Sequence, residues 1–357
     1  MGITQAVFAR ALAEPRNSAG AFCARRICPE LFTWAFRHAY STDVVTRGLV
    51  QFCTRHTRRH DLEDVFAEAN SRIVQRWQLV AAGATKSSIA GAVRNERIVR
   101  LRRNYYSLPG TSRPLMEAIR VGGRLGCISA LADAGVFAVS DLFTHAHVLP
   151  QRSRLRSPRN RFIPLTPHNR DGVELHWNPL LQPDEATIER VGLVDALAEG
   201  FLCQQPALAL ASLDNALHQG LAGADDVAAV FTGLPERLHY LRNLVDGRSE
   251  SGQETVLRLI LVDCGLQFEV QPQIPGVGRV DFLVEGRLIL EADSRLAHDG
   301  WNAHMRDANR DINAGAQGYL TLRPLYQHTM LEPTLVREAI LSTLYQARLR
   351  DTRRPRR

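Results

Sequence analysis

Residues 279–293, RVDFLVEGRLILEAD, read as two extended apolar runs joined by a turn, and three acids stand where apolar strands rarely carry any. Asp281 lies inside VDFLV, and Glu291 and Asp293 close LILEAD. An ionised carboxylate in an apolar strand costs on the order of several kcal/mol unless it is paired or bound to a metal. Three acids together offer the hard oxygen ligands that suit Mg2+ or Mn2+. Such an ion can polarise a phosphodiester and activate water.

Register decides whether the acids meet. Glu291 and Asp293 are two residues apart and share a face. Asp281 lies across the hairpin. A two-residue turn at Glu285–Gly286 sets Asp281 opposite Leu290, pointing away from Glu291. A three-residue or bulged turn sets it opposite Glu291, and all three acids converge. The longer turn is predicted.

The surrounding pattern extends this hairpin into a domain. Ser251 precedes a helical run, QETVLRLILVDCG, closed by Gly265. LQFEVQPQI reads as a strand before the hairpin. A helix around 301–315 holds Arg306, Asp307, Arg310 and Asp311, followed by the strand GYLTLR and a last helix, PTLVREAILSTLYQAR. The predicted order over 250–345 is α-β-β-β-α-β-α.

As a set, Glu254, Val280-Asp281-Phe282, Glu291-Ala292-Asp293, His298, Arg306-Asp307 with Arg310, and Gly318-Tyr319 with Arg323 resemble one family. It is the very short patch repair endonuclease-like branch (domain of unknown function 559) of the PD-(D/E)XK nucleases, over a quarter of the chain. The resemblance implies a restriction-endonuclease-like α/β core and Mg2+- or Mn2+-dependent cleavage of DNA. Asp281 and Glu291 would hold the metal, with Asp293 as a further ligand or base. Glu254 would orient a metal-bound water, His298 would assist proton transfer or bind the leaving phosphate, and Arg306 and Arg310 would clamp the DNA backbone. Two positions depart from the pattern: Ser294 replaces a glycine, and Asp293 stands at the usual lysine position. They favour an alternative, a DNA-binding regulator whose nuclease fold no longer cuts. The bland alternative is a solvated strand edge with no metal.

Residues 61–109 read as three helices and a basic hairpin. Asp61 can cap a helix through Leu62, Val65 and Phe66, and a second helix runs over about 75–82 to Gly83. Thr85 caps a third, KSSIAGAVRNE, and RIVRL and NYYSL are short extended pieces. This is a winged helix-turn-helix layout. Lys86, Ser87, Ser88 and Arg94 would face base edges or phosphates, and Arg97, Arg100, Arg102 and Arg103 would flank or form the wing. The bland alternative is a helical domain that touches no DNA. The winged helix with the segment to about 240 also loosely resembles antitoxin and regulator modules of abortive-infection type IV toxin–antitoxin systems, through RLRRNYYSLPG and ALASLDNALHQG.

Composition bounds the remainder. The 357-residue chain has 45% hydrophobic and 23% charged residues, globular values. Of 44 basic residues only Lys86 is a lysine, a skew that weakens any arginine run as a sign of nucleic acid. The net charge of +7 is concentrated at the two ends. The most apolar stretch, 191–213, is broken by Asp195, Glu199 and Pro206, so no membrane span is predicted, and a cytoplasmic protein is expected. Among six cysteines, only Cys23-x4-Cys28 with Cys53-x2-His56 has metal-ligand spacing, and the segment between lacks a zinc-module pattern. Cys127, Cys203 and Cys264 sit in apolar runs and read as small core residues. His145, His147 and His176 read as isolated structural histidines.

The predicted architecture is a multidomain, mixed α/β chain. It comprises an irregular basic arm (1–60), a winged helix-turn-helix (61–109), a mixed α/β segment (110–245), the nuclease-like core (250–345) and a basic tail (346–357).

Overall fold

The computed structural model describes residues 61–139, 143–293 and 301–352 and is mixed α/β, with several small sheets. The basic arm, with Cys23, Cys28, Cys53 and His56, lies outside the described residues. The chain divides into two compact units, Met1–Gly110 and Thr111–Arg357.

In the first unit, α1 (Asp64–Glu68), β1 (Ile73–Gln75), α2 (Arg76–Ala81) and α3 (Lys86–Arg94) precede β2 (Val99–Arg102) and β3 (Tyr105–Ser107). β3 lies between β1 and β2, antiparallel to both. The sequence pattern missed β1, because three residues are too few to show a period. Leu62, Val65, Phe66, Val74, Leu79, Ile89, Ala92, Ile98 and Tyr106 form the core. Ile89 and Ala92 turn one side of α3 inward, as the helical period requires. Asn104, at φ 68, closes the β2–β3 turn.

The second unit opens with α4 (Arg113–Val121), β4 (Arg124–Leu125) and α5 (Cys127–Asp133). β5 (Thr144–His147) pairs antiparallel with β4 and parallel with β6 (Val173–His176). Three helices follow: α6 (Leu193–Cys203), α7 (Pro206–His218) and α8 (Ala224–Gly233).

The remaining elements are α9 (Gly252–Asp263), β7 (Phe268–Val270), β8 (Gln273–Ile274), β9 (Gly278–Arg279), β10 (Phe282–Val284), β11 (Leu288–Leu290), α10 (Trp301–Ala316), β12 (Leu320–Leu322), α11 (Tyr326–Leu331) and α12 (Pro333–Thr352). The main sheet has the order β12-β11-β10-β7, with β11 and β12 parallel and the other pairs antiparallel. Phe282, Val284, Leu288 and Leu290 pack with Leu257 and Leu261 of α9 and Ile340 and Leu344 of α12. Ile289, with Val280 and Leu283, packs with Ala314 of α10. The sheet is thus covered on both faces, which explains its near-continuous apolar strands.

The predicted strand LQFEVQPQI is two strands. Gln271 has φ 52, and Pro272 has no N–H to offer a ladder, so the chain turns and β8 pairs with β9 instead.

Segments 111–245 and 250–352, which the sequence reading separates, lie in one compact unit. Leu208 of α7 packs against the α9 core. Buried Asp214 accepts bonds from the Asp246 N–H (2.8 Å), the Thr255 hydroxyl (3.0 Å) and the Arg258 guanidinium (2.8 Å). Asn215 accepts from the Phe137 N–H and donates to Glu250 O. ALASLDNALHQG is thus a joining motif between the two segments.

Candidate functional site

Phe282 pairs with Leu290 and Val284 with Leu288, which sets Asp281 opposite Glu291. The turn is the three residues Glu285, Gly286 and Arg287, with Glu285 at φ 52 and Gly286 at φ 66. Asp281 and Glu291 are therefore on one face at one end of the sheet, the face that Ile289 turns toward α10.

Asp281 Oδ2 accepts the Ala292 N–H at 2.7 Å. Burial pushes the Asp281 carboxyl up to about 6. The Ala292 N–H opposes this shift, and the negative charges of Glu254, Glu291 and Glu250 reinforce it. Glu254 stands in the first turn of α9, where Ser251 Oγ accepts its N–H, and its Oε2 accepts the Glu250 N–H at 3.0 Å. Asp293, two residues beyond Glu291, is fixed by its N–H to Pro324 O at 3.2 Å. The acids that act most strongly on Asp281 thus come from α9, the loop before it and Glu291.

Glu291 is held from both sides. Arg310 Nη2 donates to Oε1 at 2.6 Å, and Arg323 Nε to Oε2 at 2.7 Å. Arg323 also pairs with Asp311. Arg310 donates further to Val277 O (3.0 Å) and Arg279 O (2.7 Å). Its guanidinium is thus engaged within the fold. Each carboxylate oxygen has two acceptor positions, so Glu291 keeps one on each oxygen beside its arginine. Among the described residues only the Cys/His cluster below has three or more His, Cys, Asp or Glu donor atoms within 4.8 Å of one another, so the predicted convergence of Asp281, Glu291 and Asp293 is not met at that distance. His298 and the Arg306 side chain lie outside the described residues.

In the first unit, Lys86, Ser87, Ser88 and Arg94 are on the exposed side of α3. Ser88 is more than a surface group: its hydroxyl accepts the Thr85 N–H at 2.9 Å, while Thr85 Oγ1 accepts the Ser88 N–H. This reciprocal cap fixes the start of α3. Arg100 and Arg102 are on β2, with the Arg102 guanidinium 6.0 Å from the Tyr105 ring centre, and Arg103 is exposed in the turn. Arg97 is tied to Asp61 and Glu63, so it braces α1 rather than the hairpin tip.

The cysteines and histidines of the second unit depart from the sequence reading. Cys127, His145, His176 and Cys203 each offer one donor atom, and these four atoms all lie within 4.8 Å of one another. His145 Nδ1 is 3.0 Å from His176 Nε2 and 3.6 Å from Cys203 Sγ, and the two rings stack at 5.2 Å. The Cys203 thiol is held far below its usual range by hydrogen bonds to Cys127, then His145 and His176. Cys127 is pushed the other way by the same bond to Cys203 and by burial. His147 stands apart: its Nδ1 is 2.6 Å from Glu199 Oε1, and Glu199 Oε2 accepts the Cys127 N–H at 2.8 Å. No local spacing could reveal this cluster, because its members are far apart in the chain and meet only through the β5–β6 pairing and the α5–α6 packing. His145 and His176, near one another on parallel neighbours, are the one hint, and it needs the topology first.

Among the described residues no helix is long and apolar enough to cross a membrane. Compared with known proteins, the chain matches no family model and no curated sequence.

Proposed function

We propose that the protein binds DNA through residues 61–109, acting as a winged helix-turn-helix, and that its C-terminal part is a metal-dependent DNA endonuclease of the PD-(D/E)XK kind. The observation that carries the nuclease reading is the register that pairs Asp281 with Glu291 at one end of a sheet, within electrostatic reach of Glu254. Asp281, Glu291 and Asp293 would hold Mg2+ or Mn2+, which when bound polarises the phosphodiester and activates water. Glu254 would orient the water, and Asp293 would act as a further ligand or as the base that receives its proton. Arg323 and Arg310 set the position of the Glu291 carboxylate. The DNA-binding part is supported by the order α1-β1-α2-α3-β2-β3, the β1-β3-β2 sheet and the exposed Lys86, Arg94 and Arg103.

One observation favours a second reading, a DNA-binding regulator that does not cut. Both Glu291 oxygens already accept from arginine, which weakens the carboxylate as a metal ligand. Plasmid nicking by the full chain with Mg2+ or Mn2+, beside Glu291→Ala and a gel shift on the same DNA, separates the two. Metal-dependent nicking lost in Glu291→Ala with DNA binding kept supports the nuclease. Binding without cleavage of supercoiled, nicked and mismatched DNA supports the regulator. Failure of Lys86→Ala with Arg94→Ala to weaken binding would overturn the helix-turn-helix assignment.

A further inference from the structure

We propose that Cys127, His145, His176 and Cys203 form a tetrahedral zinc site that ties together the segment from α5 to α6. This site is separate from the carboxylates and uses different chemistry.

Geometry comes first. A tetrahedral zinc with two thiolates and two imidazoles holds its donor atoms about 3.3–3.8 Å apart. The observed N–N and N–S separations, 3.0 and 3.6 Å, need only small adjustments to reach that arrangement. Four protein donors fill the tetrahedron and leave no open position, the mark of a structural site rather than a catalytic one.

Charge and donor type agree. Two thiolates offset the charge of Zn2+, and two neutral imidazoles add none. The loaded site is therefore neutral overall, and Cys127, His145 and His176 are buried. Sulfur and imidazole together select zinc over Mg2+, which prefers oxygen. Cys203 is exposed and gives an ion a way in.

The surroundings are built to hold the donors. Cys127 has φ 47, a left-handed conformation unfavourable for a side chain of this kind. It is kept there by its N–H bond to Glu199, whose carboxylate is held in turn by His147. A Cβ on the preceding Gly126 would come within 2.6 Å of Glu199 Oε2, so this packing accepts only glycine. The His145 N–H donates to Ser129 Oγ on α5. The four donors come from α5, β5, β6 and the end of α6, and the β4-β5-β6 sheet they surround has strands of two to four residues. Between β5 and β6 the chain from 148 to 172 holds one helical turn, Pro167–Asn169, and a single bridge between Arg156 and Pro164. A metal that closes such loops removes conformational freedom from the unfolded chain.

The test is elemental analysis of the full chain purified without chelator. The expected result is about one zinc per chain, falling to near none in Cys127→Ser and His176→Ala and unchanged in Cys264→Ser. Exchange into Co2+ should give thiolate-to-cobalt charge transfer and the intense visible bands of a tetrahedral ion. Because the variants can lose metal by failing to fold, the wild-type content and cobalt spectrum decide the question. A folded wild-type chain that holds no zinc and takes up neither Zn2+ nor Co2+ would overturn the proposal. A Cys127–Cys203 disulfide in that folded chain, or iron in place of zinc, would also overturn it.

Discussion

The acids at the end of the β10–β11 hairpin and the Cys/His cluster both bring together side chains of types that can ligate metals, yet they are assembled by opposite means. Asp281 and Glu291 are neighbours in the chain, brought together by one turn, and remain partly exposed beside arginines. Cys127, His145, His176 and Cys203 are distant in the chain, brought together by the packing of four elements, and are mostly buried. A site made by a local turn can lose its ligand and leave the sheet intact. A site made by tertiary packing has its stability bound up with its ligand.

That contrast gives its own tests. The largest effect should follow removal of a soft metal. A zinc-selective chelator should lower the melting temperature on the order of 10 °C, whereas omission of Mg2+ should barely move it. Equal responses in thermal melts would erase the distinction. Next comes Gly126→Ala, whose Cβ collides with Glu199 behind Cys127. It should cost about 1–3 kcal/mol by urea titration and lower the metal content. Unchanged stability there would mean that Glu199 is not a fixed support. A smaller effect, about 1 kcal/mol, is expected for Gly286→Ala in the hairpin turn, where only the positive φ is strained and no neighbour is touched. The zinc content of this variant should match the wild type. Smallest is Glu291→Gln: Arg310 keeps two carbonyls and Arg323 keeps Asp311, so stability should change by about 1 kcal/mol or less while any Mg2+-dependent nicking is lost. A large loss of stability would mean that Glu291 serves the fold first.

The difference also explains what the sequence reveals. The hairpin acids are legible because period-two alternation and turn length fix their relative faces, and the three-residue turn found here is the one that brings Asp281 to Glu291. The three helices and hairpin of 61–109 are legible from Thr85, Gly83 and the spacing of Ile89 and Ala92. β1 is too short to show a pattern, and the break at Gln271–Pro272 reverses what a run of alternating residues suggests. The arginines show what sequence leaves open: Arg97, read as flanking or forming the wing, and Arg310, read as a DNA clamp, are each paired with carboxylates of their own chain. The cysteine spacing that resembles a zinc site falls in 1–60, while the cluster that gathers in space has no spacing at all.

The bonds of Asp214 and Asn215 bear on how this chain can be divided. Arg258, on α9, has its charge partner on α7, and the same α7 seals that helix with Leu208. A fragment starting at Glu250 would turn an interior into a surface, and Asp214→Leu in the whole chain would strand a buried guanidinium. The C-terminal core is therefore not a cassette that can be moved between proteins by cutting at its sequence boundary.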